Sequence, residues 1–271
     1  MQTPTKIAVA GATGRVGRYV VEALLAGGHE VVPIARSLGV DVITGDGLAD
    51  ALTGVACVVD AATGQSPDLT EATEFFTTAA QNLHQVGQQA GVQRMIVVSI
   101  IGIDKFSGGY AAAKVAHEHA VLSGPIPTRI VRASQFYELI PQGLEWGRQG
   151  DVIYVSKMRS QPVAARTVGQ LLAAQATDPA WAAAPSSDAP TLEIAGPQEE
   201  DSVELAKRFV ARRGDDVRIE GVSDPNDPDS VLNQTGALLP GPDATLAGPT
   251  FEEWLDSADY ETSLRTTYGS P

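Results

Sequence analysis

Gly11-Ala12-Thr13-Gly14-Arg15-Val16-Gly17 follows the apolar run Lys6–Ala10 directly and passes straight into a stretch in which Val16, Val20, Ala23 and Leu24 share one helical face. A diphosphate approaching a helix N-terminus needs backbone N–H groups that no side chain obstructs, together with the positive end of the helix dipole. Gly11, Gly14 and Gly17 supply that room, and Thr13, Arg15 and Val16 complete the turn. A glycine triplet alone would mean little, because turns use glycine for positive φ. Strand, three glycines and helix in that order point to a dinucleotide-binding turn. A tight strand-to-helix turn with no ligand is the plainer alternative.

Outward from this loop, β-rich apolar runs alternate with helical stretches. Strands are expected at Glu30–Ala35, Val40–Thr44, Val55–Ala61, Arg94–Ile100 and Thr128–Ala133, and helices at Glu71–Ala90, Tyr110–Leu122 and Gln135–Arg148. This rhythm predicts an α/β fold, a Rossmann-type doubly wound parallel sheet with a smaller C-terminal substrate lobe. The first domain is expected over 1–134. Residues 135–271 form mainly the lobe, with segments able to return to the core, and its acidic, Pro-rich region 224–249 reads as a loop or a lid. Aromatics after the last of these strands, Phe136, Tyr137 and Trp146, serve either as a substrate-pocket wall or as core.

Composition narrows the function. The 271 residues are 43% hydrophobic and 19% charged, an ordinary globular balance. The net charge is −14, and residues 199–271 carry 16 acidic against 6 basic residues. That excludes broad nucleic-acid or anionic-membrane binding, which needs clustered cations. The single Cys57 excludes an intrachain disulfide framework. No apolar run approaches membrane-spanning length and Met1–Thr5 lacks a secretory core, so a soluble cytoplasmic protein is expected, monomer or homodimer, with a small-molecule substrate. His117-Glu118-His119 is not a metal motif, since residues two apart on a helix diverge; no metal is expected.

The end of the second strand bears on the choice of nicotinamide cofactor. An acid there accepts from a ribose 2′-OH, whereas an arginine pairs with a 2′-phosphate. The chain has Arg36, and Arg15 can approach the same phosphate, which favours NADP(H) over NAD(H); both can equally be solvated surface charges. Tyr110 and Lys114, four apart on a predicted helix, share a face. A neighbouring ammonium favours the phenolate of a tyrosine and suits it to exchange a proton with a substrate hydroxyl. Ser99, at the end of a strand, can donate to the same oxygen, with Ser107 as the spare candidate.

These features resemble the short-chain dehydrogenase/reductase superfamily, in particular its extended and atypical members, whose first loop is spaced G-x-x-G-x-x-G. The likeness is most specific to the NmrA-like, NAD(P)-binding branch. It is carried by SIIGID (Ser99–Asp104), GYAAAK (Gly109–Lys114), TRIVRASQF (Thr128–Phe136) and EIAGP (Glu193–Pro197). The resemblance implies a Ser99, Tyr110, Lys114 triad in which the lysine also holds the nicotinamide ribose. It further implies that Asp46 contacts the adenine end and that Ala61, Ala62 and Thr63 lie beside the nicotinamide ribose, although Asp46 would serve equally as the N-cap of a short helix. Such proteins include NADPH-dependent reductases of quinones and other small carbonyl compounds. They also include non-catalytic NADP(H) sensors, which commonly lack the Tyr and Lys pair. A nucleotide-sugar epimerase ranks third. One departure is the short Arg36–Val40 connection, with no room for the helix usual between second and third strands, which puts the outer sheet edge in question.

Overall fold

The computed structural model describes residues 4–64, 66–182, 191–223 and 229–268. They divide into two compact units, one made of Met1–Ile100, Gly109–Arg132 and Val168–Leu192, the other of Ile101–Gly108, Ala133–Thr167 and Glu193–Pro271. The chain thus leaves the first unit and comes back to it.

In chain order the first unit begins with β1 (Lys6–Ala10), α1 (Gly17–Ala26), β2 (Glu30–Ile34), α2 (Leu48–Ala51), β3 (Cys57–Asp60), α3 (Leu69–Ala90), β4 (Arg94–Ile100), α4 (Gly109–Leu122) and β5 (Thr128–Ala133). The strands lie in the order β5-β4-β3-β1-β2. Ala10 pairs in parallel with Ile34 on one side and Asp60 on the other, so the carboxyl ends of β1, β2 and β3 emerge together. This is the Rossmann-type α/β arrangement. Such a sheet is covered on both faces, which is why its strands read as unbroken apolar runs: Ile7–Ala10 and Cys57–Val59 are fully buried. Ala8, Val58 and Val97 of the sheet share a core with Ala80, Leu83 and Val121 from α3 and α4. Burial pushes the Cys57 thiol up to about 12.

Helix boundaries follow local chemistry. Asp68 caps α3 by accepting from the amides of Thr70 and Glu71, and Gly91 ends it in the left-handed region at φ 81°. On its return, Gly169 lies against Tyr19 of α1, where a β-carbon would come within 2.6 Å of the tyrosine side chain.

The strand expected at Val40–Thr44 does not form. Asp41 accepts from the Ile43 amide at 2.7 Å, closing a turn, and Asn82 of α3 donates to the carbonyls of Val42 and Ile43. Those carbonyls are satisfied by a side chain instead of a neighbouring strand, so β2 is the outer strand on this side.

The second unit contains α5 (Ile140–Gly147), β6 (Arg148–Gln149), β7 (Val152–Ser156), β8 (Arg159–Ser160) and the start of α6 (Ala165–Ala176). After α7 (Pro179–Ala182) in the first unit come β9 (Leu192–Ala195), β10 (Glu200–Asp201), α8 (Ser202–Arg213), β11 (Arg218–Val222), α9 (Ser230–Gln234), β12 (Thr245–Leu246), α10 (Phe251–Leu255) and α11 (Ala258–Tyr268). Its own core gathers Tyr137, Leu144, Phe209, Phe251 and Trp254. The single helix expected over Gln135–Arg148 is instead a 3-10 turn, Tyr137–Leu139, followed by α5 with Pro141 in its first turn. Of the three aromatics, Tyr137 is buried core, while Trp146 is 74% exposed. Within the acidic region 224–249, residues 224–228 lie outside the described residues. No helix among the described residues is long and apolar enough to cross a membrane.

Candidate active site

The glycine loop is built on contacts that only glycine permits. Gly11 has φ 72°, and a β-carbon on it would stand 2.5 Å from the Ala61 carbonyl oxygen; one on Gly17 would stand 2.1 Å from the Gly11 carbonyl oxygen. The turn is pinned by Gly11 and Ala12 amides donating to Ile34 and by the Gly14 amide donating to Gly11 at 2.8 Å. Val16, the N-cap of α1, offers no capping oxygen, and the first turn of α1 holds no acid, so nothing in the helix itself neutralises its positive end. Thr13 and Gly14 are exposed, Arg15 is half-buried, and Val16 and Gly17 are buried.

Because Gly11 presses on Ala61 and Ala62, the loop after β3 is fixed beside the glycine loop, and its next residue reaches the tyrosine. The Thr63 hydroxyl lies 2.9 Å from the Tyr110 hydroxyl. The Tyr110 ring packs edge-on to Phe76, centroids 5.6 Å apart. Burial raises the phenol above its ordinary value, opposed by the Thr63 hydrogen bond and the Arg15 charge. Tyr110 is therefore a neutral phenol at neutral pH, and the expected phenolate is not favoured. Arg15 acts on the tyrosine end of the loop. Ser99 on β4 is buried, and among the described residues its hydroxyl has no hydrogen-bond partner. Ser107 is committed elsewhere: its hydroxyl and amide both donate to Asp229.

Lys114 turns inward. It is 4% exposed, donates to the Val98 carbonyl at 2.9 Å, lies 2.8 Å from His117 Nδ1 and sits 4.4 Å from the Phe76 ring centroid. Burial pulls its ammonium down to about 8 against the charges of Asp60 and Glu118. His117 Nε2 in turn lies 3.2 Å from Asp60 Oδ2, and the Ala62 amide donates to Asp60 Oδ1 at 3.0 Å. Burial would raise the Asp60 carboxyl, but the bonds from His117 and Ala62 and the Lys114 charge hold it below its usual range. Burial and the Lys114 charge keep His117 below its usual value. Asp60 and His117 were not among the expected site residues. The signals were there: an acid closing the apolar strand CVVD, and a histidine three residues after the lysine.

Arg36 and Asp46 stand apart from this cluster. Arg36 opens a 3-10 turn after β2 and is exposed. Asp46 is exposed, and the N-cap of α2 is Gly47 without a side-chain bond, so Asp46 does not cap that helix. His119 is exposed while His117 is buried, and among the described residues no three His, Cys, Asp or Glu are grouped to hold a metal ion.

A family model described as NAD(P)H-binding matches residues 11–179. A curated relative, the photosystem II assembly factor Ycf39 of Synechocystis, is 28% identical over 110 residues, 35% of this chain; the match spans about a third, 34%, of that protein's length. Solved structures similar along nearly the whole chain include a short-chain dehydrogenase/reductase superfamily protein from Agrobacterium tumefaciens with bound NAD. It is 20% identical with a TM-score of 0.65, over 96% of this chain and 97% of that one. The dTDP-4-dehydrorhamnose reductase of Bacillus anthracis in complex with NADP is 16% identical with a TM-score of 0.69, over 94% and 98%. The UDP-N-acetylglucosamine 4-epimerase of Bacillus cereus is 18% identical with a TM-score of 0.65, over 98% of each chain. The residues present fit a dinucleotide: the cradle at Gly11 and Gly17 is one a β-carbon would fill, and the buried Ser99 hydroxyl has no partner among the described residues.

Proposed function

Because the chain belongs to the NAD(P)H-binding family, of the atypical short-chain dehydrogenase/reductase type, we propose that it is an NADP(H)-dependent oxidoreductase of a small quinone or carbonyl compound. The observation that carries this reading is the continuity from glycine loop to tyrosine: Gly11 abuts Ala61–Ala62, and the adjoining Thr63 meets the Tyr110 hydroxyl. A diphosphate-binding turn and a proton donor are thereby held by one short loop.

In this reading the amides of Gly11–Gly17 bind the diphosphate, and Ala61, Ala62 and Thr63 flank the nicotinamide ribose. Arg36 faces the 2′-phosphate, with Arg15 in support, and Asp46 faces the adenine end. When bound, the dinucleotide supplies or accepts the hydride. Tyr110, a neutral phenol whose pKa partial burial raises further, donates its phenolic proton to the substrate oxygen, and Ser99 gives that oxygen a second hydrogen bond. Lys114, four residues along the same helix, contributes its positive charge to the tyrosine and the nicotinamide ribose.

Calorimetric titration with NADPH and NADH tests binding, and turnover of NADPH with a panel of quinones and aldehydes tests the chemistry. Tyr110→Phe is expected to lower turnover about 10²- to 10⁴-fold with cofactor affinity retained. Tight NADPH binding with no acceptor reduced by the wild type would replace this reading with that of a redox sensor.

A further inference from the structure

An ammonium can only donate hydrogen bonds, so the 2.8 Å contact between Lys114 Nζ and His117 Nδ1 makes Nδ1 an acceptor without a proton. The neutral ring then carries its proton on Nε2, facing Asp60 Oδ2 at 3.2 Å, where an ionised carboxylate can only accept. A doubly protonated His117 would set an N–H against the ammonium. With Lys114 charged, one assignment satisfies every contact: neutral His117 protonated at Nε2 and ionised Asp60. The proton stays on the lysine because His117 is held below its ordinary value while Lys114 comes down only to about 8.

These bonds join two levels of the site. Asp60 Oδ1 takes the Ala62 amide, and Thr63, the next residue, meets the Tyr110 hydroxyl. Helix α4 is thus fastened twice, at His117 to the end of β3 and at Tyr110 to the loop that follows it. We propose that His117 is a positioning residue for Lys114, a neutral Nε2-protonated ring that anchors the ammonium through Nδ1 and is itself oriented by Asp60. A merely packed histidine at this depth would not need one tautomer.

The groups around Lys114 come from several elements. Asp60 and Glu118 act on it as negative charges, and Glu118 is held by a two-pronged bond from Arg132 on β5. The Phe76 ring of α3 covers Nζ and stacks on His117 with centroids 4.8 Å apart, and His84, also on α3, feels the Asp60 charge. Tyr110 shares α4 with Lys114 and is neutral. His117 is the uncharged acceptor among them, so replacing it removes a bond to the ammonium without adding a charge.

The inference rests on the reading of Lys114 as part of a cofactor site, and two measurements separate their fates. Long-range 1H–15N spectra of the 15N-labelled, cofactor-free wild type, with His117→Gln identifying the signal among the four histidines, are expected to show the neutral Nε2–H tautomer, unchanged through the pH range where an ordinary histidine titrates. An Nδ1–H tautomer, or titration at the ordinary value, overturns the proposal. NADPH affinity followed across pH by fluorescence gives the second readout. His117→Gln keeps an acceptor for Lys114 and a donor for Asp60 and is expected to retain the wild-type profile. His117→Leu is expected to move the alkaline loss of affinity at least one pH unit lower; a folded Leu variant with an unshifted profile overturns the proposal. Should that variant not fold, the wild-type spectra decide. Should NADPH not bind the wild type, the proposed function fails while the spectra still decide the tautomer.

Discussion

Arg36 is the side chain on which cofactor choice is expected to turn, because it is exposed just after β2 and the 3-10 turn it opens holds no acid. Arg36→Asp is expected to cost about 2 kcal/mol of preference for NADPH over NADH, the scale of a charged hydrogen bond, measured as the ratio of the two dissociation constants. An unchanged ratio would remove Arg36 from the selector role. At this scale the glycine loop was legible in sequence because each glycine answers a backbone demand: a positive φ and a contact with Ala61 at Gly11, a contact with the Gly11 carbonyl at Gly17. The partner of Tyr110 was not. Spacing put Lys114 on its helix face, but only burial decides which way a long side chain turns, and here Val98 and His117 take two of its three donors. The opposed shifts of Tyr110 upward and Lys114 downward both come from loss of water, which no spacing rule contains.

Among the elements, β1, β4, β5 and the long α3 could be read from apolar runs and caps, whereas Val40–Thr44 could not. That stretch is as apolar as a strand, yet Asn82, some 40 residues away, takes its carbonyls. A β-carbon where α1 begins would strike the Gly11 carbonyl, so Gly17→Ala is expected to destabilise the protein by about 2 kcal/mol or more and to weaken NADPH binding, read by urea unfolding and calorimetry. The α3–α4 pair carries a second, acid-sensitive joint. His84 Nε2 donates to the Val121 carbonyl and its Nδ1 accepts from the Ile126 amide, so the ring must be neutral, and burial holds its pKa below the ordinary value. The unfolded chain then binds more protons than the folded one as pH falls below about 6.5. The His84 contribution to stability is therefore full above that pH and is lost beneath it. The urea midpoint is expected to fall between pH 7.5 and 5.5, and His84→Gln to flatten part of that dependence; His117, shifted in the same direction, adds to it.

At the scale of the whole chain, each unit encloses its own apolar core; the expected cofactor residues and Ser99, Tyr110 and Lys114 lie in the first, the spare candidate Ser107 in the second. Cys57 is fully buried in the first unit, at the head of the strand that ends at Asp60 and leads to Thr63. With its thiol sealed and pushed up to about 12, it is inert toward disulfide reagents until the sheet opens. The protein therefore carries its own clock. Chromogenic thiol capture under native conditions counts openings of the dinucleotide-binding unit alone, and any nucleotide that grips only the closed form must slow the count, by about 100-fold at a hundred times its dissociation constant. One colorimetric trace, run with and without NADPH, would then time the unfolding of this half of the molecule and weigh its grip on the cofactor together, while acceleration by NADPH would mean that the nucleotide prefers the open chain.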